Sequence, residues 1–217
     1  MDITLYYFKI PFWRAEVSRL ALFIGNVPFN DYRIGKQEYE ILKGSGKLPN
    51  GKVAPFKQLP VLEVDGKIFS QTGAIARFCG KLSGLYPINN DYESALIDQV
   101  IEASQDINYM VTLSSRDKDP QKMKKAREIL TTKHLPKMFQ FLENLIDNKN
   151  TPWFVNDKIS IADLAVWRLL GWLSSGLLDG VPNNVLDPYT KLVSMRKAVY
   201  QHPKVNEWML TKYNKII

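Results

Sequence analysis

The sequence of 217 residues predicts a mixed α/β N-terminal domain followed by an all-helical domain. Short apolar runs alternate with helical periodicity over residues 1–83, whereas no strand pattern follows residue 90. Residues 84–90 contain Pro87 and two asparagines, which is a composition typical of linkers. We therefore expect domains at 1–83 and 91–217, joined by a linker at 84–90.

The N-terminal elements alternate between strand and helix. Residues 3–8 are an apolar run, 14–25 have helical periodicity and 29–34 alternate again, which predicts a βαβ unit. Residues 61–64 and 67–69 flank the hairpin turn Asp65-Gly66, and a helix begins near Gln71. The predicted order is βαβ-ββα, with the two middle strands parallel and the hairpin antiparallel. This order resembles a thioredoxin-like domain.

The second half of the chain reads as helices. Apolar residues share one helical face over 96–104, and others recur over 123–145, where Pro136 predicts a kink or a break. Ser160 and Asp163 have the spacing of a capping box, in which each side chain accepts a backbone N–H from the other residue. The apolar helix that follows is expected at the centre of this domain.

Composition limits the classes of function. The net charge is +7 and the pI is near 9.3, but the densest cations, over 122–127, alternate with apolar residues as on the wet face of a helix. Nucleic acid is therefore not the expected partner. The chain has one cysteine, no apolar leader and no apolar run near 20 residues, so we expect neither a membrane segment nor a disulfide and favour the cytosol.

Residues 54–83 predict a site that recognises a peptide backbone. Pro60 precedes a strand and lacks an N–H, so it leaves the sheet edge unpaired and turns the main chain of Leu59 outward. Gln71 and Thr72 stand at a helix start, where unpaired N–H groups and the helix dipole favour a carboxylate.

These motifs resemble those of cytosolic glutathione transferases, and most closely the sigma class. The residues that carry the resemblance are Gln-Leu-Pro-Val-Leu at 58–62, Ser-Gln-Thr at 70–72, Leu-Tyr-Tyr-Phe at 5–8 and Ser-Ile-Ala-Asp at 160–163. The resemblance covers nearly the whole chain. It implies glutathione as co-substrate and a homodimer.

The resemblance selects Tyr7 as the hydroxyl that donates to the glutathione sulfur. Tyr6 and Tyr7 point to opposite faces of the first strand, so only one of them can face the ligand, and Tyr6 is expected in the core. A donor is needed because an ordinary thiol, with a pKa of about 8.5, is mostly protonated at neutral pH.

The loop after the first strand departs from the family pattern. Relatives have a small Arg-Gly-Arg turn, whereas residues 9–14 here read Lys-Ile-Pro-Phe-Trp-Arg. By resemblance Arg14 organises the thiolate site; otherwise it pairs with Glu16 or with solvent. Phe12 and Trp13 either wall the electrophile pocket or pack against the second domain. The full predicted pocket is Ile10, Phe12, Trp13, Tyr109 and Met110.

The remaining predicted contacts to glutathione also follow from the resemblance. They are Tyr39, Lys43 and Gln58 at the glycyl end, Leu59 and Pro60 at the cysteinyl unit, and Gln71, Thr72 and Asp98 at the γ-glutamyl end, with Asp98 acting across a dimer interface. Residues 44–52 form a flexible insertion, so Lys47 or Lys52 can replace Lys43. Asp98 can equally be a solvated helical acid.

Other chemistries find little support. Cys79 lies in an apolar helical pattern and reads as a small buried hydrophobe. His134 and His202 are far apart, and no cluster has metal-ligand spacing, so no metal is expected.

The sequence leaves two classes of function open. One is a transferase that ionises glutathione for attack on an apolar electrophile, with conjugation, endoperoxide isomerisation and peroxide reduction not separated. The other is a non-catalytic protein on the same fold, such as a lens-crystallin-like or ligand-carrying member.

Overall fold

The computed structural model describes residues 1–146 and 151–214. The N-terminal half contains β1 (Ile3–Tyr7), α1 (Glu16–Ile24), β2 (Asn30–Arg33), α2 (Lys36–Ser45), β3 (Val61–Val64), β4 (Lys67–Ser70) and α3 (Thr72–Ser83). The second half contains α4 (Asp91–Ser114), α5 (Pro120–Ile129), α6 (Leu135–Leu145), α7 (Ile161–Leu173), α8 (Thr190–Gln201) and α9 (Pro203–Tyr213). The structure thus confirms a mixed α/β domain followed by a helical domain. The limits 1–83, 84–90 and 91–217 stay a proposal.

The four strands form one mixed sheet in the order β2-β1-β3-β4. β1 pairs parallel with β2, and β3 pairs antiparallel with both β1 and β4. The expectation of parallel middle strands is therefore wrong, because the middle strands are β1 and β3. The register pairs Tyr7 with Arg33 and Tyr6 with Val61, so β3 starts at the end of the sheet where β1 and β2 finish. Because β3 begins at that end, it runs antiparallel to β1.

Alternation along β1 separates its two tyrosines. Tyr6 belongs to a small core cluster with Leu42 of α2 and Val61, on one face of the sheet. Its hydroxyl donates to Glu63 Oε2 at 3.0 Å. Tyr7 belongs to the main core on the other face, which continues into the helical domain.

The helix that carries Pro136 is irregular, as expected. One π-helical turn, Leu130–His134, separates α5 from α6, and Pro136 is the second residue of α6. Because proline has no N–H to continue the ladder, the wider turn fits at this point.

α7 lies at the centre of the helical domain and is buried along nearly its whole length. Its start is the predicted capping box: Asp163 Oδ2 accepts from the Ser160 backbone N–H at 2.7 Å and from Ser160 Oγ at 2.8 Å. Asp163 Oδ1 also accepts from the Phe154 backbone N–H at 3.0 Å, so the carboxylate fixes the preceding loop as well. Burial raises the pKa of Asp163 to about 6, although these hydrogen bonds oppose the rise.

We predict that Asp163→Ala lowers the free energy of unfolding by about 1 kcal/mol or more, because it removes a cap and leaves buried N–H donors without an acceptor. Asp157→Ala is the matched control, because Asp157 is exposed in the preceding loop and should change stability by less than about 0.5 kcal/mol. Chemical denaturation measures both. Equal stabilities of the two variants would contradict the role of the cap.

The same carboxyl predicts a pH dependence. A folded pKa near 6 lies above the unfolded value, so its contribution is fully present below about pH 4 and is lost as the pH rises through 6. The wild type should therefore lose up to about 3 kcal/mol relative to Asp163→Asn over this window. A constant difference between the two proteins from pH 4 to 7 would contradict the raised pKa.

Candidate functional site

A cavity of about 430 Å³ lies where the end of β1 meets the helical domain. It is lined by Tyr7, Trp13, Arg14, Tyr39, Asn108, Thr112, Arg168 and Trp172. The described residues that line it include two arginines and no carboxylate, so the cavity favours anions.

Tyr7 is buried and remains a phenol at neutral pH. Burial raises the pKa of Tyr7, although the positive charges of Arg14, Arg168 and Arg19 oppose the rise. A protonated hydroxyl can donate a hydrogen bond to an anion in the cavity without adding charge of its own. The arrangement therefore supports stabilisation of an anion beside Tyr7.

Arg14 faces the cavity and does not pair with Glu16. Its Nη1 donates to Gln105 Oε1 on α4 at 3.4 Å. Glu16 is instead fully buried, where its carboxylate accepts from Trp208 Nε1 at 2.6 Å and from the Tyr213 hydroxyl at 2.7 Å. The guanidinium of Arg14 is thus left on the cavity side of the loop.

A buried ion cluster lies beneath Tyr7. Arg19 of α1 pairs with Glu16 at 3.2 Å and with Asp31 of β2 at 2.9 Å. Its Nη2 donates to the Phe8 carbonyl at 2.9 Å, and its Cζ is 5.7 Å from the centroid of the Tyr7 ring. Arg19 therefore fixes the end of β1 from below.

The two aromatic side chains of the loop after β1 lie in different surroundings. Phe12 is buried and packs on α7, with its ring centroid 4.9 Å from that of Trp167. Gly171 makes room for it, since a Cβ there would lie 2.4 Å from Phe12 Cδ1. Phe12 has a φ of 61°, which is rare for a bulky residue and is offset by this packing. Trp13 instead lines the cavity.

The predicted cysteinyl and γ-glutamyl contacts lie at the ends of β3 and α3. The Leu59–Pro60 peptide bond is cis, and Leu59 is partly exposed beside it. Gln71 is exposed with a φ of 81°, and its side chain does not cap α3. Thr72, which is buried, is the first residue of that helix. The exposed Gln71 and the buried Thr72 thus lie next to the cis peptide bond at the start of β3, in the same half of the chain.

The predicted glycyl contacts lie on and after α2. Tyr39 lines the cavity, and Lys43 Nζ is 5.6 Å from the centroid of the Tyr39 ring. Lys43 is exposed and 3.4 Å from Glu40, whereas Lys52 Nζ donates to Glu63 Oε1 at 2.6 Å and to the Gly66 carbonyl at 2.7 Å.

Lys52 therefore ties the insertion to the hairpin, which leaves Lys43 and Lys47 as the exposed alternatives. Gln58 is exposed in the loop before Pro60.

Asp98 is engaged within its own chain. Arg77 Nε donates to Asp98 Oδ1 at 2.7 Å, and the Tyr86 hydroxyl lies 3.2 Å from Asp98 Oδ2. The carboxylate of Asp98 is therefore neither an acid paired with solvent alone nor one without partners that is free to bind an amine. Its role toward a ligand stays a prediction.

Sequence reasoning missed one wall of the cavity. Asn108 and Thr112 of α4 and Arg168 and Trp172 of α7 line it, each pair four residues apart on its helix. Tyr109 is instead 61% exposed, because it lies one residue away from that face. The sequence shows that the residues of each pair lie on one face of their helix. It does not show which face of the helix lines the cavity, because that depends on how the helices pack.

Two other predicted pocket residues lie away from the cavity lining as well. Met110 packs, partly buried, against the core, and Ile10 is partly exposed in the loop. Of the five predicted pocket residues, Trp13 is the one that lines the cavity.

Comparison with known proteins decides the family. Residues 3–80 match the family model of the glutathione S-transferase N-terminal domain, and residues 105–212 match that of the C-terminal domain. A glutathione S-transferase of Anopheles gambiae is 30% identical over 186 residues, 84% of this chain and 86% of that protein. The chain belongs to the glutathione S-transferase family.

Sigma-like members of the family are among its relatives. The hematopoietic prostaglandin D synthase of Gallus gallus is 28% identical over 196 residues, 90% of this chain and 89% of that protein. The structure of prostaglandin synthase D of Nilaparvata lugens superposes with a TM-score of 0.83 at 28% identity and covers 100% of both chains. The family uses glutathione as a substrate, so membership supports a transferase.

Two further features of this member of the glutathione S-transferase family concern its cysteine and its helices. Burial raises the pKa of Cys79 to about 12, so its thiol stays protonated and is not a nucleophile at neutral pH. Within 1–146 and 151–214, no helix has the length and hydropathy needed to span a membrane.

We predict that Gly171→Ala lowers the free energy of unfolding by about 1–3 kcal/mol, because the added methyl group displaces the Phe12 ring. Gly44→Ala, in α2 with open space around it, is the matched control and should be neutral or stabilising by up to about 1 kcal/mol. Chemical denaturation compares them. A Gly171→Ala variant as stable as the wild type would show that Phe12 does not need this gap.

Proposed function

We propose that this glutathione S-transferase ionises glutathione on Tyr7 and delivers the thiolate to an apolar electrophile held in the cavity. The observation that carries the proposal is the buried Tyr7 side chain, whose pKa is raised by burial, at a cavity whose charged lining is cationic. The mechanism needs no covalent enzyme intermediate, because ionisation and proximity supply the acceleration.

The energy required is modest. Lowering the thiol pKa from about 8.5 by two units takes roughly 2.7 kcal/mol of preferential stabilisation of the thiolate. One charge-assisted hydrogen bond from Tyr7, in a buried site with the Arg14 guanidinium nearby, is of this size.

The uncapped start of α3 supports one orientation of glutathione. The N–H groups of its first turn, which no side chain caps, suit the γ-glutamyl carboxylate, and the main chain of Leu59, next to Pro60, suits the cysteinyl unit. The glycyl carboxylate then points to Tyr39, Lys43 and Gln58. Arg77 and Tyr86 already hold Asp98, so we assign it at most a secondary contact with the γ-glutamyl amine.

The second substrate enters beside aromatic side chains. Trp13, Tyr39 and Trp172 give the cavity flat apolar walls. Conjugation, the isomerase reaction suggested by relatives named prostaglandin D synthase, and peroxide reduction all begin from the same thiolate. The rival proposal, a non-catalytic ligand-binding or structural protein, predicts that bound glutathione does not ionise.

We also propose a homodimer in the cytosol. Phe56, Ile88 and Tyr92 are large apolar side chains that are 58–77% exposed, and we place them at the interface of the dimer. A single buried cysteine suits a reducing compartment. Light scattering should give twice the chain mass of 25.0 kDa; the mass of one chain would exclude the dimer.

We predict that Tyr7→Phe lowers kcat/KM for 1-chloro-2,4-dinitrobenzene roughly 20-fold near neutral pH, because the thiolate fraction falls when the donor is lost. The loss should shrink above about pH 9, where the thiol ionises unaided. Tyr6→Phe is the matched control on the opposite face of β1 and should leave kcat/KM within about twofold.

The pH profiles decide between the two classes of function. A wild-type profile that rises with an apparent pKa well below that of free glutathione, and a Tyr7→Phe profile that rises near the free value, support the enzyme. Activity lost equally in both variants, or absent from the wild type, contradicts it.

A further inference from the structure

Arg168 is a buried cation, and two of its nitrogen atoms have no hydrogen-bond partner among the described residues. It is 1% exposed on α7 and lines the cavity, and its Nη1 donates to Asn108 Oδ1 at 3.3 Å. The two nitrogen atoms are Nε and Nη2. Because a buried charge without partners is costly, these two donors call for an acceptor that binds in the cavity.

The two spare donors are the parallel pair of the guanidinium fork. Nε–H and Nη2–H point the same way from one edge of the planar group, and this edge matches the two oxygens of a carboxylate. The edge is held in place, since Asn108 Nδ2 donates to the Ser104 carbonyl at 2.7 Å while its Oδ1 holds Arg168. The fork is thus fixed before any ligand arrives.

The position of the fork points to the second substrate rather than to glutathione. Arg168, Asn108 and Trp172 all belong to the helical domain, whereas the proposed glutathione contacts other than the secondary one of Asp98 lie on the N-terminal domain. A thiolate is a single acceptor and would use one donor of the pair. Burial lowers the pKa of Arg168 to about 10, so it still carries its charge at neutral pH.

We propose that Arg168 is the anchor for a carboxylate on the second substrate, so that the enzyme prefers flat apolar electrophiles that bear an acid group. This inference rests on the proposed function. Trp13 and Trp172 hold the ring, and the carboxylate pairs with Nε and Nη2 of Arg168. Arg168 is thus a specificity-determining residue, not a proton donor or a nucleophile.

The test compares 4-chloro-3,5-dinitrobenzoate with its methyl ester. In both, the glutathione thiolate forms the C–S bond at the carbon that carries chlorine, chloride leaves with the electron pair, and the thiol proton goes to solvent. The rates are divided by the uncatalysed rates with glutathione, so that the ratio reports binding. We expect the wild type to prefer the acid roughly tenfold or more.

Arg168→Met should abolish this preference, so that the acid-to-ester ratio falls to about one, with most of the loss specific to the acid appearing in KM. Arg168→Lys, which keeps the charge but not the fork, should retain a partial preference. Arg196→Met is the matched control, because Arg196 is a partly buried arginine of α8 that lines a different cavity. It should keep the wild-type preference.

Binding measured by tryptophan fluorescence separates the inference from the proposed function and needs no variant. Quenching of the wild type by 4-nitrobenzoate, roughly tenfold tighter than by 4-nitrobenzamide, supports the anchor even if neither electrophile is turned over. Absent turnover would contradict the proposed function alone. Equal binding of acid and amide, or an Arg168→Met variant that weakens glutathione binding and keeps the acid preference, would overturn the anchor.

Discussion

The buried ion pair between Arg19 and Glu16 on α1 is the interaction on which the site depends. It sits where the sheet, α1 and α9 meet, because Arg19 also binds Asp31 of β2 while Glu16 accepts hydrogen bonds from Trp208 and Tyr213 of α9. Removing one partner of such a buried pair leaves an uncompensated charge, which typically costs about 3–5 kcal/mol. The cluster thereby fixes the N-terminal domain against the last helix and holds the end of β1 in one position beneath the cavity.

The loop that follows β1 is bulky, but it does not fill the cavity. Phe12 turns away from the cavity into the space that Gly171 leaves on α7, and Trp13 turns toward it. The sequence pattern alone left packing and pocket formation as equal alternatives for both residues. The structure divides them: Phe12, at a positive φ, packs against Trp167 of α7, and Trp13 lines the cavity.

Local patterns predicted most of the fold. Alternation placed Tyr6 and Tyr7 on opposite faces, and the spacing of Ser160 and Asp163 predicted the start of α7. The direction of pairing between the middle strands was misjudged because pairing depends on where the chain re-enters the sheet, which no local pattern records. The helical wall of the cavity was missed for a similar reason: Arg168 lies in an apolar helix that is buried on nearly all sides, so hydrophobic periodicity does not mark the side that faces the cavity.

The central claim is that the protein ionises bound glutathione at Tyr7. The most direct measurement is the ultraviolet absorbance of the thiolate of bound glutathione as a function of pH, recorded against free glutathione. Our account predicts a thiol pKa about two units below the free value in the wild type, which is roughly 2.7 kcal/mol of stabilisation. Glutathione that binds but ionises at the same pH as in solution would contradict it.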